Sequence, residues 1–314
     1  MSIYFLGPKF PKAELSNQLP NISHSIDLIE EYIHEKDFDL DVKPENEALI
    51  VWADSIPMQT KYCLLYLHGF SASRMEGMPT HENVAKYFNM NLYMPRLAAH
   101  GINSDEPLLN MTPEALYESA KEALVIAHKI GQKVIIMSTS TGGTLSLKLA
   151  ADFPDLVDGL ILYSPNVAIN SSGASLLSKP WGLQIARLIY GGKYRIVNED
   201  AQDDECRYWN CNYRLEATVY LQQLLDACMT TETFENVTCP TFLGYYYEDE
   251  KHQDEVVKVS EALCMFNEIQ TDCSKKEKKA FNARAHVIAY GKDSKAQPDV
   301  EKATIEFIER QFTH

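Results

Sequence analysis

The chain is short of positive charge. Lys and Arg total 29 against 44 Asp and Glu, a formal charge of −15. So acidic a surface repels phosphate backbones and anionic headgroups, which argues against nucleic-acid partners and against adsorption through basic patches. The same charge also favours plain solubility. Long apolar runs are missing too: no stretch reaches the length of a bilayer span, so no stable membrane insertion is expected. The opening MSIYFLGPKF lacks a signal peptide's apolar core, and the expectation is a cytoplasmic protein. Cysteine is sparse and irregular. Seven residues (Cys63, Cys206, Cys211, Cys228, Cys239, Cys264 and Cys273) make an odd count that excludes a disulfide scaffold. Cys206 and Cys211 stand five apart with no matching pair downstream, so they do not suggest zinc. Most of the seven are expected to be buried thiols of a reducing compartment. No histidine pair has ligand spacing, so neither a metal nor a cofactor is implied.

What is present is an alternation. Leu49–Trp52, Cys63–Leu67, Leu92–Met94, Val134–Met137, Leu160–Tyr163, Phe242–Tyr246 and Lys278–Phe281 read as strands. Helical spacing recurs from Ser25 to Ile33, after Thr80, from Thr112-Pro113 to Gly131, over Gly143–Ala151, over Val256–Phe266 and over Pro298–Phe312. Such alternation calls for an α/β fold, a mostly parallel sheet with helices on both faces. Between Pro165 and Pro240 no buried strand is expected. Two helical patterns stand there instead, around Trp181–Ile189 and around Leu215–Cys228. The length of 314 residues therefore reads as one sheet domain (46–165 and 240–314), a helical cap or lid (166–239) and an N-terminal extension (1–45). The run Lys275–Lys279 is expected to guard a strand edge.

The chemistry is concentrated where Val134–Met137 runs into Ser138-Thr139-Ser140-Thr141-Gly142-Gly143 and then a helix. A strand, a sharp turn with Ser140 at its tip and a helix make a nucleophile elbow. The turn needs small residues two before and two after the nucleophile, here Ser138 and Gly142. The helix N-terminus behind Ser140 favours developing negative charge. His68-Gly69-Phe70 closes an earlier buried strand at the same sheet edge. The Phe70 amide there could join that of Thr141 in holding an oxyanion. His68 itself reads as a hydrogen-bonded core residue rather than a proton shuttle.

These features together, with an acid after a later strand and a late histidine, resemble the serine α/β-hydrolase fold. The resemblance is closest to the capped carboxylesterases and monoacylglycerol-lipase-like enzymes, whose helical lid lies between the sixth and seventh strands. It spans residues 48–312 and leaves out the first 45. The order it implies is Ser, acid, His. His286, in Ala285-His286-Val287, matches the family's position for the base; His252 lies in a run of charges and His314 at the chain end. The acid is Asp254, which precedes Val256-Val257 and a helix, with Asp249 as the alternative because it lies nearer the strand.

The implied function is hydrolysis of small neutral or acylglycerol-like carboxylic esters through an acyl-enzyme. The same triad would serve a thioesterase, acyltransferase or lyase, and a catalytically silent binding protein of this fold is the reading from another class. Leu177, Trp181 and Ile185 are candidates for an acyl pocket, though the cap's apolar residues could equally glue it to the core. Arg96 and the His100-Gly101 loop could reach the pocket floor, or Arg96 could serve structural pairing.

Overall fold

A strand buried on both faces of a sheet carries apolar residues without alternation, because each face packs on its own layer of helices. Cys63–Leu67 meets that condition. Cys63, Leu65 and Leu67 join one core, Leu64 and Tyr66 the other. The computed structural model describes residues 7–198 and 204–313. The apolar start up to Leu6, and His314, lie outside the described residues.

The chain runs through α1 (Ile29–Asp37), β1 (Leu49–Val51), β2 (Thr60–Leu67), α2 (Thr80–Tyr87), β3 (Asn91–Met94), α3 (Pro113–Ile130), β4 (Gly131–Thr139), α4 (Thr141–Asp152) and β5 (Gly159–Tyr163). There follow α5 (Gly182–Ile189), β6 (Tyr194–Ile196), α6 (Asp204–Tyr208), β7 (Asn212–Arg214), α7 (Leu215–Cys228) and α8 (Thr231–Asn236). Last come β8 (Thr241–Asp249), β9 (His252–Gln253), α9 (Val259–Glu268), β10 (Lys276–Phe281) and α10 (Gln297–Phe312). The sheet order is β1-β3-β2-β4-β5-β8-β10, with β9 folded back on β8. Within that order only β1, against β3, is antiparallel. Helices α2 and α10 cover one face through Val84, Val300 and Phe307; α3, α4 and α9 cover the other through Leu116, Leu145 and Met265. Each such side chain removed from water contributes roughly 1.5–3 kcal/mol. Among the described residues no helix is long and apolar enough to cross a membrane.

Local signals hold where no tertiary partner competes. Thr112 caps α3, its Oγ1 accepting the Ala115 amide at 3.2 Å, with Pro113 in the first turn. Thr80 behaves differently. It is the first residue of α2 rather than its cap, and its hydroxyl donates to the Ala289 carbonyl at 2.8 Å. The charged run forms β10 at the sheet edge, with Lys278 and Lys279 exposed.

The segment between β5 and β8 follows the fifth strand, not the sixth: among the described residues nothing before β1 joins the sheet. It also holds a small antiparallel pair, β6 with β7, that the helical reading did not foresee. Its two halves pack differently. On α7, Leu221, Leu224 and Cys228 join the main core, as does Phe234 of α8. On α5, by contrast, Leu188 is 82% exposed and Ile189 73%.

The cysteines correct one expectation. Cys206 and Cys211 form a disulfide, because the turn from α6 to β7 brings their Cα atoms to 5.4 Å. Of the free thiols, Cys63 and Cys228 are buried, Cys239 is half-buried, and Cys264 and Cys273 are exposed. The bridge removes the cysteine argument for a reducing compartment.

The first residues are tied to the helical layer by polar contacts from below. Lys121, fully buried in α3, donates from Nζ to the carbonyls of Ser16 at 2.7 Å and Gln18 at 2.6 Å. Gln223 of α7 donates to the Pro11 carbonyl at 2.5 Å, and the Phe10 ring meets Tyr220 edge-on at 5.2 Å. Replacing Lys121 with Met leaves two carbonyls without their donor. We expect a loss of about 1.5–3 kcal/mol in urea unfolding, with faster tryptic cleavage after Lys12.

Candidate active site

Ser140 stands between β4 and α4 with φ 53° and ψ −118°, a conformation strained for any residue with a Cβ. Three backbone bonds impose it. The Ser140 amide donates to the Tyr163 carbonyl at 3.0 Å, and the Ser140 carbonyl accepts from Gly143 and Asn166, each at 2.9 Å. A Cβ on Gly142 would lie 2.0 Å from the Leu67 carbonyl oxygen, so no other residue fits there. Ser138 is fully buried, and among the described residues its hydroxyl has no partner.

The turn after β8 carries the two acids singled out from sequence, and it separates them. β9 pairs back on β8, so Asp254 returns to the sheet and its amide donates to Tyr246 at 3.3 Å. Its buried carboxylate accepts the Val256 amide at 2.9 Å and the Val257 amide at 3.1 Å on Oδ1. Oδ2 receives Nδ1 of His286 at 2.7 Å. A carboxylate only accepts, so Nδ1 carries the proton and Nε2 presents a lone pair. Asp249 is exposed at the tip of the turn and pairs with His252 at 2.9 Å. The alternative acid is therefore far from any use at His286.

Burial pushes the Asp254 carboxyl up, but the charge and hydrogen bond of His286 with the two valine amides hold it below its ordinary value. Burial pushes His286 down; the Asp254 carboxylate, with Glu76 behind it, raises it above its ordinary value. Nε2 of His286 is buried with no partner among the described residues. Ser140 and His286 line the same cavity, and the bond between them is open in this state.

The loop after β2 lies across from Ser140. His68 is locked in the core, with Nδ1 on the Gly69 carbonyl at 2.9 Å and Nε2 accepting the Leu97 amide at 3.2 Å. Burial pushes it down to about 3, so the ring is neutral. Among the described residues the amides of Phe70 and Thr141 have no acceptor. Arg96 serves structure: its guanidinium holds Asp37 at 2.6 Å and the His100 carbonyl at 3.1 Å.

No family model matches the chain. It is 24% identical over 246 residues to the thermostable monoacylglycerol lipase of Bacillus sp. (strain H-257), covering 78% of this chain and 89% of that one. A solved structure from the metagenome-derived lipolytic enzymes LipS and LipT superposes with a TM-score of 0.69 at 17% identity, over 86% of this chain and 99% of that chain. The monoacylglycerol lipase of Paleococcus ferrophilus gives 0.63 at 12% identity, over 84% and 98%. The chain has the α/β-hydrolase fold.

The cavity, about 720 Å³, is walled by Leu176, Leu177, Ile185, Ile189, Leu221 and Val256. Leu177 and Ile185 stand where the sequence placed them. Trp181 does not: its amide donates to the Pro8 carbonyl at 2.9 Å and its indole covers Gly7. The residue closes a seam with the N-terminal segment instead of lining the cavity. Leu183 likewise packs with Leu215 and Val219. The apolar stretch thus splits between pocket and glue. Sequence reasoning missed Tyr213, whose ring meets Phe70 at 5.1 Å, and Glu76, a buried carboxyl on the cavity wall. Arg74-Met75-Glu76-Gly77 carries no signal that its acid is turned inward. Among the described residues no cluster of His, Cys, Asp or Glu could hold a metal ion.

His286 gains stability from its partner below its unfolded value of about 6.5 and loses it as pH rises through the raised folded value. Asp254 contributes above about pH 4 and loses that contribution in acid. Asp254→Asn removes the charge that opposes desolvation, so the His286 pKa read by NMR should fall by about a unit or more. Asp249→Asn should leave it in place.

Proposed function

We propose that this hydrolase cleaves small neutral or acylglycerol-like carboxylic esters with Ser140 as nucleophile, His286 as base and Asp254 as the acid of the triad. The observation that carries the reading is the shared cavity. A strained serine at a helix N-terminus faces the same space as an imidazole whose far nitrogen is bonded to a buried carboxylate.

The chemistry follows from those positions. The open Nε2 accepts the Ser140 proton as Oγ attacks the ester carbonyl. Asp254 fixes the tautomer and stabilises the imidazolium. The Phe70 and Thr141 amides bind the oxyanion; one such donor is worth about a hundred- to a thousandfold in rate. The imidazolium then protonates the leaving alcohol. Water, deprotonated by the same nitrogen, hydrolyses the acyl-enzyme and returns the proton to Ser140. Residues 166–239 serve as a cap, whose α5 supplies the acyl wall. Leu176, Leu177, Ile185 and Ile189 favour an alkyl chain by burial, about 0.8 kcal/mol for each methylene removed from water.

Ser140→Ala should abolish hydrolysis of p-nitrophenyl esters with an unchanged circular dichroism spectrum; a folded, active variant would sink the assignment. Asp254→Asn should lower kcat by about a thousandfold or more, while Asp249→Asn stays within about threefold. Octanoyl esters should exceed acetyl esters in kcat/KM by about tenfold or more, given several added buried methylenes. Equal rates would refute the apolar acyl wall.

A further inference from the structure

We propose that Glu76 is a positioning residue of this site: its buried carboxyl ties the oxyanion loop to the sheet and sets a second negative charge toward His286. The proposal rests on the triad reading above and assigns a role that the triad does not contain.

Glu76 lies in the 3₁₀ turn Arg74–Gly77 and is 2% exposed. Its Oε2 accepts the Gly69 amide at 2.6 Å and the Tyr66 hydroxyl at 3.3 Å. Gly69 immediately precedes Phe70, so this bond sets the peptide that leads into the oxyanion amide. A Cβ on Gly69 would lie 2.7 Å from Glu76 Oε1 and 3.0 Å from Ser140 Cβ. Carboxyl, loop and nucleophile are therefore stacked, with only a glycine thin enough to pass between them. Among the described residues Oε1 has no protein donor, and Glu76 lines the cavity with Ser140 and His286. A carboxyl removed from water costs stability unless something requires it. A Gly69 amide alone could have been satisfied by a neutral carbonyl.

The charges around the pair are few. Asp254 bonds His286 from the loop after β9, and Glu255 and Arg195 stand on the cavity wall. Arg74 stands two residues before Glu76 and donates to the Glu47 carbonyl at 3.1 Å. Tyr66 on β2 bonds the carboxyl and reaches Thr139 on β4 at 3.1 Å. His81 on α2 meets the Tyr66 ring at 4.8 Å, and burial pushes it down to about 4, so it is neutral. Burial pushes Glu76 itself up to about 7, against the pull of the Gly69 amide, His286 and Tyr66. Glu76 and His286 thus each favour the charged form of the other.

Two variants separate the two roles in the full chain. Glu76→Gln keeps an oxygen for the Gly69 amide and removes the charge. Activity is followed with p-nitrophenyl butyrate. The acid limb of kcat/KM, followed from about pH 5 to about pH 9, should move down by about half a unit or more, because His286 loses a neighbour that favours its charged form. Glu76→Ala releases the loop, and kcat should fall by about tenfold or more with KM nearly constant. An unmoved acid limb in Glu76→Gln, or wild-type kcat in Glu76→Ala, overturns the proposal. If Glu76→Ala does not fold, the Glu76→Gln profile decides alone. Fluorophosphonate labelling separates this failure from that of the triad: an unlabelled Ser140 in the wild-type chain sinks the triad, whereas normal labelling with an unmoved limb sinks only Glu76.

Discussion

The closeness of β4 to β2 at the point where β4 turns into α4 governs the rest of this molecule. Gly142 lies against the Leu67 carbonyl with no room for a Cβ. That contact lets the chain reverse within one residue, puts Ser140 at the tip and holds its amide-rich helix start beside the loop that follows β2. The strain at Ser140 is sustained because β5, the first turn of α4 and the Asn166 loop bond its backbone from different sides.

Around that contact the site is an exercise in placing charge where water is scarce. Asp254 is held as an anion by an imidazole and two amides, which offsets the penalty of its burial. Glu76 has weaker support and sits nearer neutrality. His286 lies under the influence of both, with one nitrogen committed and the other open. The neutral histidines His68, His81 and His100 hold loops by hydrogen bonds and add no charge. A low-dielectric pocket with few uncompensated charges lets each remaining one act strongly.

Much of the fold was legible because buried parallel strands are hydrophobic throughout and helices between them are periodic. VIIM, LILY and CLLYL left little choice. The strained turn at Ser140 was legible too, since an elbow needs small residues at fixed offsets and a sequence shows them. Legibility failed wherever a side chain's partner comes from a distant segment. Thr80 looks like a cap and is a tertiary donor. Trp181 looks like pocket lining and is a seam with Gly7 and Pro8. Cys206 and Cys211 look unrelated, yet the turn between them makes a bridge.

The sequence by itself determined the layering of the sheet, the position of the strained serine and the histidine that faces it, because these follow from local pattern and chain order. Only the tertiary structure shows which of Asp249 and Asp254, five residues apart on one acidic turn, bonds His286. The pairing of β9 on β8 turns one carboxylate into the core and leaves the other in solvent. The same holds for Glu76. A glutamate in a short polar turn carries no mark of burial; only the packing of that turn beneath Gly69 sets its carboxyl beside Ser140.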